Sequence, residues 1–296
     1  MTMQSTRPFE VLFLADFSNA SYRTVPAMAQ MADELEIRLT LLHASADGKV
    51  REAESKLRSF FPEATFYPGT QRIVLATDVL NAVKQIRRDQ PVDLIVAPSS
   101  DPLGLPHPWH HSLRAELLAH ECGPVWTMGQ GIHSSLLNRR TRNVGCWIDL
   151  DASDKRHISL AFTYAAITGA KLHLLSAMPN VDDGTLISTL YSNSPLYAEG
   201  VARDIQDLVG WVPTKPEVHV RPGPSRRVIP QIARDLELDL LFVGKKNALR
   251  SGLVRRSVHP AVDGCGCPVV CSDGKAHAWQ LKRGRAFEFQ AASKAA

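Results

Sequence analysis

Val11-Leu12-Phe13-Leu14-Ala15-Asp16 returns as Val144-Gly145-Cys146-Trp147-Ile148-Asp149, 133 residues later. Leu39-Thr40-Leu41-Leu42-His43-Ala44 returns at the same offset as Leu172-His173-Leu174-Leu175-Ser176-Ala177. Asp93-Leu94-Ile95-Val96-Ala97 returns as Asp239-Leu240-Leu241-Phe242-Val243, now 146 residues on, and Gly123-Pro124-Val125-Trp126 returns as Cys267-Pro268-Val269-Val270 near the end of the second copy. Four segments in the same order describe a duplicated domain, and each copy is too long for a solenoid repeat.

Between these segments the first copy alternates short apolar runs with helical periodicity. Strands are expected near 9–15, 39–43, 72–76, 94–97 and 125–128. Val25, Met28, Ala29, Ala32 and Leu35 mark one helix, and Val79, Ala82, Val83 and Ile86 mark another. Further helices are expected over 50–61 and 112–120. The second copy repeats the order, with strands near 143–148, 171–176, 217–221, 239–243 and 268–271 and helices near 154–168, 196–210, 225–236 and 258–263. All-apolar strands separated by helices call for a parallel sheet covered on both faces. Right-handed crossovers make that a doubly wound α/β fold. The expectation is therefore two tandem five-stranded domains, 9–128 and 142–272, joined by a linker. A surface loop is expected over 179–195. The basic segment 273–296 has no partner in the repeat and is expected to be an appendage.

The 296 residues are 44% hydrophobic and 22% charged, the balance of an ordinary globular protein. No apolar run reaches the roughly 20 residues of a membrane helix, and the first residues lack a signal-peptide core. A cytoplasmic protein with no membrane partner is expected. A net charge of +4 is too small to argue for nucleic acid. The five cysteines lack paired Cys-x2-Cys spacing, and Cys267 and Cys271 flank an apolar strand, so they read as core residues. His107, His110 and His111 share one loop with Trp109, without a helical i,i+4 arrangement, and read as surface residues. No metal site is expected. No Gly-x-Ser-x-Gly elbow and no Walker loop occurs, so no enzyme is expected.

The strand ending in Asp16-Phe17-Ser18, the run Leu39-Thr40-Leu41-Leu42-His43, the strand Asp93-Leu94-Ile95-Val96 and the terminal Cys267-Pro268-Val269-Val270 together resemble the universal stress protein family, in its two-copy form. The resemblance spans about 9–128 and 142–272. It implies an adenine-nucleotide alpha-hydrolase-like fold, two domains packed as a pseudo-dimer within one chain, and ATP or a similar adenine nucleotide as ligand. Whether two chains pair further, and with which proteins, stays open. The family's phosphate loop, Gly-x2-Gly-x9-Gly-Ser/Thr after the fourth strand, wraps phosphates with backbone N–H groups and opens a helix.

In the first copy Asp16 is kept, but Pro98, Asp101 and His111 stand at the three glycine positions, and only Ser112 survives. Pro98 has no N–H to donate, and Asp101 would repel a phosphate. In the second copy Asp149 is kept, Gly223 ends the third strand and Gly244 opens the loop. Asn247 replaces the next glycine, a residue tolerant of left-handed backbone. Ser257 matches the final hydroxyl if the loop is one residue shorter. Lys245, Lys246, Arg250, Arg255 and Arg256 surround it and could hold phosphate by charge. The plain alternative for Asp16 and Asp149 is a turn residue before a helix, and for the basic cluster a solvated loop. The resemblance thus implies a stress-response regulator or ligand sensor with a degenerate site, better kept in the second copy. The alternatives are an interaction scaffold without a small-molecule ligand and, less favoured, a slow ATP hydrolase.

Overall fold

The structure is a computed structural model. It describes residues 8–98, 113–128, 139–149, 156–178, 195–210, 215–251, 256–258, 260–272 and 279; of residues 246, 249–251 and 256–258 it describes the backbone only. The first half runs β1 (Phe9–Leu14), α1 (Asn19–Glu34), β2 (Ile37–Ala44), α2 (Val50–Ser59), β3 (Gln71–Leu75), α3 (Val79–Asp89), β4 (Leu94–Val96), α4 (Leu113–Ala119) and β5 (Val125–Thr127). The second runs β6 (Asn143–Trp147), α5 (Arg156–Thr168), β7 (Lys171–Met178), α6 (Pro195–Leu208), β8 (Glu217–Pro222), α7 (Ser225–Asp235) and β9 (Leu240–Gly244). After it come the one-turn helix α8 (Lys245–Ala248), β10 (Leu249–Ser251), β11 (Arg256–Val258), α9 (Pro260–Gly264) and β12 (Val269–Ser272).

Among the described residues, ten strands form one continuous sheet in the order β3-β2-β1-β4-β5-β12-β9-β6-β7-β8. Each half contributes five parallel strands, and the second half mirrors the first. The seam is β5 against β12, antiparallel, with Val125 opposite Cys271, Trp126 opposite Val270 and Thr127 opposite Val269. Along β1 every residue is buried. Phe9, Val11 and Phe13 face one core, while Leu12 and Leu14 face the other. This is the period-two signature of a strand covered on both sides. Both cores run across the seam. One takes in Met28 and Met31 of α1, Leu57 of α2, Tyr164 of α5 and Ile205 of α6. The other takes in Val83 of α3, Leu118 of α4, Ile229 of α7 and Val262 of α9.

Polar contacts lock the halves together. Glu34, at the end of α1, is buried. It accepts the backbone N–H of Thr141 at 2.6 Å and the Thr141 hydroxyl at 2.8 Å, and the Tyr164 hydroxyl donates to it at 3.4 Å. Burial first, and then the Glu34 charge, push the Tyr164 phenol above its ordinary pKa. On the opposite face Arg114 of α4 donates to Asp263 of α9 at 2.9 Å and to the Thr127 hydroxyl at 3.3 Å. Lys245 pairs with Glu121 at 3.1 Å, again across the halves.

Trp279 is the one described residue of the segment 273–296, and it packs against the core. Its ring is 7% exposed. It meets Phe9 edge-on at 4.9 Å and Phe242 at 5.8 Å, and its indole N–H donates to the Asp93 carbonyl at 3.3 Å. A residue with no partner in the repeat therefore packs on both halves at once.

Candidate functional site

In a doubly wound sheet the ligand crevice lies at the carboxyl ends of the strands where the strand order reverses. Here that is beyond β1 and β4 in the first half and beyond β6 and β9 in the second.

In the first half, the end of β1 is engaged by its own neighbours. Asp16 follows β1 and is drawn into a turn. The Ser18 N–H donates to its Oδ1 at 2.9 Å, the Ser21 hydroxyl donates to the same oxygen, and the Asp16 N–H donates to the Ser21 hydroxyl at 3.2 Å. Ser18 in turn caps α1 by accepting the Ser21 N–H. Phe17 adopts a left-handed backbone, φ 59°, which a bulky side chain rarely does. The conformation lays its ring on His43 at the end of β2, 4.5 Å away and 26° from parallel. His43 donates Nδ1–H to the Ala15 carbonyl at 2.7 Å, which fixes its tautomer. Phe60 closes the stack edge-on, 5.9 Å from Phe17, and Tyr22 leans on Phe60 at 5.0 Å. Sequence reading missed this cluster, because its members come from three separate segments. Ser112 and the loop with Asp101, His107, His110 and His111 lie outside the described residues.

The second crevice is organised differently. Gly223 ends β8 with φ +121°, and its N–H donates to the Met178 carbonyl at 2.9 Å. A Cβ there would sit 3.0 Å from Val228, so both the backbone and the space call for glycine. Asp149 follows β6 and is half-buried. Gly244 is buried at the end of β9 against His157 of α5, where an added Cβ would lie 3.1 Å from Nδ1. His157 itself is buried, with Nε2 3.1 Å from the Trp147 carbonyl. The loop after Gly244 is not an extended phosphate loop. Lys245–Ala248 wind into α8, which holds Asn247, and β10 and β11 form an antiparallel hairpin. Ser257 pairs with Arg250 inside that hairpin, and the following helix starts at Pro260 rather than at 258. The physical reason is that Leu249–Ser251 and Arg256–Val258 satisfy each other's backbone groups, which a helix beginning at Ser257 could not do. The structure thus brings Gly244 and Asn247 to one crevice and sets Ser257 in a strand. Of the basic cluster, Lys245 is paired with Glu121.

The cysteines are all buried. Burial pushes the Cys265 and Cys271 thiols up to about 12 and raises those of Cys146 and Cys267. They stay protonated at neutral pH, which suits core residues and not reactive thiols.

A model of the universal stress protein family matches residues 140–272. The second half of the chain belongs to the universal stress protein family. No curated protein sequence matches the chain significantly. Among solved structures, the chain is similar to a universal stress protein from Archaeoglobus fulgidus DSM 4304, at 17% identity and a TM-score of 0.61, covering 89% of this chain and 97% of that one. A proposed universal stress protein from Pseudomonas aeruginosa UCBPP-PA14 matches at 18% identity and a TM-score of 0.55 over 99% of both chains. The cytoplasmic domain of a prokaryotic cation chloride cotransporter also matches, at 10% identity and a TM-score of 0.53, covering 92% of this chain and 98% of that one. These likenesses establish the fold. Among the described residues no helix is long and apolar enough to cross a membrane.

Proposed function

We propose that the protein is a cytoplasmic, non-enzymatic stress-response regulator made of two universal stress protein domains in one chain. Its second half carries a ligand-responsive crevice and its first half serves assembly. The observation behind this reading is the unequal state of the two crevices. In the first, Phe17 stacks on His43 beside the end of β1, and Asp16 is engaged in its turn. The second keeps a positive-φ glycine turn at Gly223 and a basic segment beginning at Lys245.

The ligand class proposed is an adenine nucleotide, lined by Asp149, Gly223, Gly244 and Asn247. The residues fit such a group in part. Gly223 leaves the end of β8 bare, but His157 covers the face of Gly244, and a hairpin replaces the wrapping loop. Phosphates would therefore be held by guanidinium and ammonium charge more than by backbone N–H groups.

The test is to denature the purified protein, identify any released nucleotide, and titrate ATP calorimetrically. One ATP per chain is expected, weakened more than about tenfold when Arg255 and Arg256 are both reversed to Glu, as the loss of a charge-assisted contact implies. Absence of binding at millimolar ATP would leave the interaction scaffold as the better reading.

A further inference from the structure

Far from both crevices, at the amino ends of β7 and β8, three side chains of metal-ligating type converge. His173 and Glu217 are register partners on neighbouring strands, and His219 lies two residues further along β8. The period of two puts all three on one face of the sheet. Nδ1 of His173 is 3.1 Å from Nε2 of His219. Oε2 of Glu217 is 3.5 Å from the first nitrogen and 3.8 Å from the second. A four-coordinate ion with bonds of about 2.0–2.1 Å sets its ligand atoms about 3.3–3.4 Å apart. The three measured distances bracket that value.

The surroundings orient the donors. Asn143 places Oδ1 3.4 Å from Nε2 of His173. That oxygen only accepts, so Nε2 carries the hydrogen and Nδ1 turns a lone pair inward. Lys171 takes the other carboxylate oxygen, Oε1, at 2.6 Å, which leaves Oε2 facing the imidazoles. Such outer contacts fix the rotation and tautomer of metal ligands. His173 is 3% exposed, whereas the Glu217 side chain is half exposed, so an ion can enter from solvent.

We propose that His173, Glu217 and His219 form a binding site for a zinc-type divalent cation, with water as fourth ligand. Two imidazoles and one carboxylate suit zinc and its first-row neighbours, whereas calcium and magnesium prefer all-oxygen shells. With Nδ1 of His173 as acceptor, His219 donates Nε2–H to it at 3.1 Å. The ion replaces that hydrogen, and His219 carries it on Nδ1 instead, so no net proton is released. The ion clips β8, the outermost strand of the sheet, to β7. The first half provides an internal control. The same register holds Thr40, Gln71 and Ile73 there, with no imidazole and no carboxylate.

The test uses untagged full-length protein, stripped with a chelator and titrated with Zn2+ by calorimetry and with Co2+ by visible absorption. One ion per chain is expected at this site, with the d–d spectrum of a four-coordinate nitrogen–oxygen set, no thiolate charge-transfer band, and a raised melting temperature. Asn143→Ala is expected to weaken binding by about 10–100-fold, and His219→Gln by more. His219 reaches the surface, so this variant is expected to fold even if His173→Gln does not; circular dichroism checks it. No binding at millimolar zinc, a thiolate band, or binding unchanged in both His219→Gln and Glu217→Gln would overturn the proposal.

Discussion

Thr40, Gln71 and Ile73 in the first half stand at the register positions of His173, Glu217 and His219 in the second. Around Thr40 the polar needs are met locally: Gln90 donates to its hydroxyl at 3.2 Å, and Arg38 pairs with Glu10 at 3.0 Å. In the second half Lys171 stands in place of Arg38 and Asn143 in place of Glu10, and the lysine turns to Glu217 instead. The carboxyl ends diverge in the opposite sense. There the first half stacks Phe17 on His43, while the second half has Gly223 and Gly244 at its strand ends. The backbone tolerates both outcomes because the strands are held by their buried central residues, Leu12 and Phe13 in β1 and Cys146 and Trp147 in β6. The strand ends are free to change chemistry without changing register. A duplicated fold therefore preserves architecture more strictly than it preserves sites.

The sharpest break in the symmetry is Trp279, which has no counterpart in the repeat. Trp279→Ala removes a buried aromatic that touches both halves and is expected to cost about 3–5 kcal/mol, read as a lower denaturant midpoint at constant m. A loss below about 1 kcal/mol, the level of an ordinary surface substitution, would return the ring to the status of an appendage.

Glu34 is the next asymmetry, since the matching position at the end of α5 is Ile167. Glu34→Ala strands the buried N–H of Thr141 and is expected to cost about 1–3 kcal/mol. The double variant Glu34→Ala, Thr141→Ala should cost less than the sum of the single changes, and simple additivity would show that the two residues act independently.

Phe17 tests the stack beside the end of β1. Phe17→Ala loses the stack and keeps the left-handed strain, whereas Phe17→Gly loses the stack and relieves about 1–2 kcal/mol of strain. The glycine variant is expected to melt higher than the alanine variant. The reverse order would mean that the backbone there is not strained.

The smallest effect concerns helix caps. Asp78 accepts the Asn81 N–H at 3.0 Å and caps α3, while Pro224 at the matching position of α7 provides no side-chain cap. Asp78→Ala is expected to cost about 1 kcal/mol at neutral pH. The backbone hydrogen bond from Asn81 holds the Asp78 carboxyl below its ordinary pKa. The folded state therefore binds its proton later than the unfolded one. The contribution is complete above about pH 4, the unfolded value, and is lost as pH falls through the folded value. Chemical denaturation of both proteins from pH 7 downwards should show the gap closing; a gap constant with pH would rule out the carboxylate as the source.

Periodicity and order were legible because they are local. The alternation of apolar runs with helical spacing marks strand and helix over a few residues, and the repeat of whole segments, Val11–Asp16 as 144–149, announces the duplication. The match of Asp16 and Asp149 was equally plain. What each aspartate does was not: Asp16 is absorbed by Ser18 and Ser21 through a turn whose geometry depends on where α1 packs. The hairpin after Gly244 was missed because its strands are three residues long, too short for any period to register.

By itself, the sequence determined the fold class, the succession of strands and helices along each half and the apolar residues of the strands, since burial on both faces of a parallel sheet demands a pattern visible along the chain. The tertiary structure alone decided the rest. Joining β5 to β12 made one sheet of two, and packing carried Trp279 to Phe9 and to Asp93, 186 residues away. Strand pairing brought His173 within reach of His219 across 46 residues. Such meetings depend on register and on the approach of distant elements, which are set by the sum of all contacts and by no local run of residues.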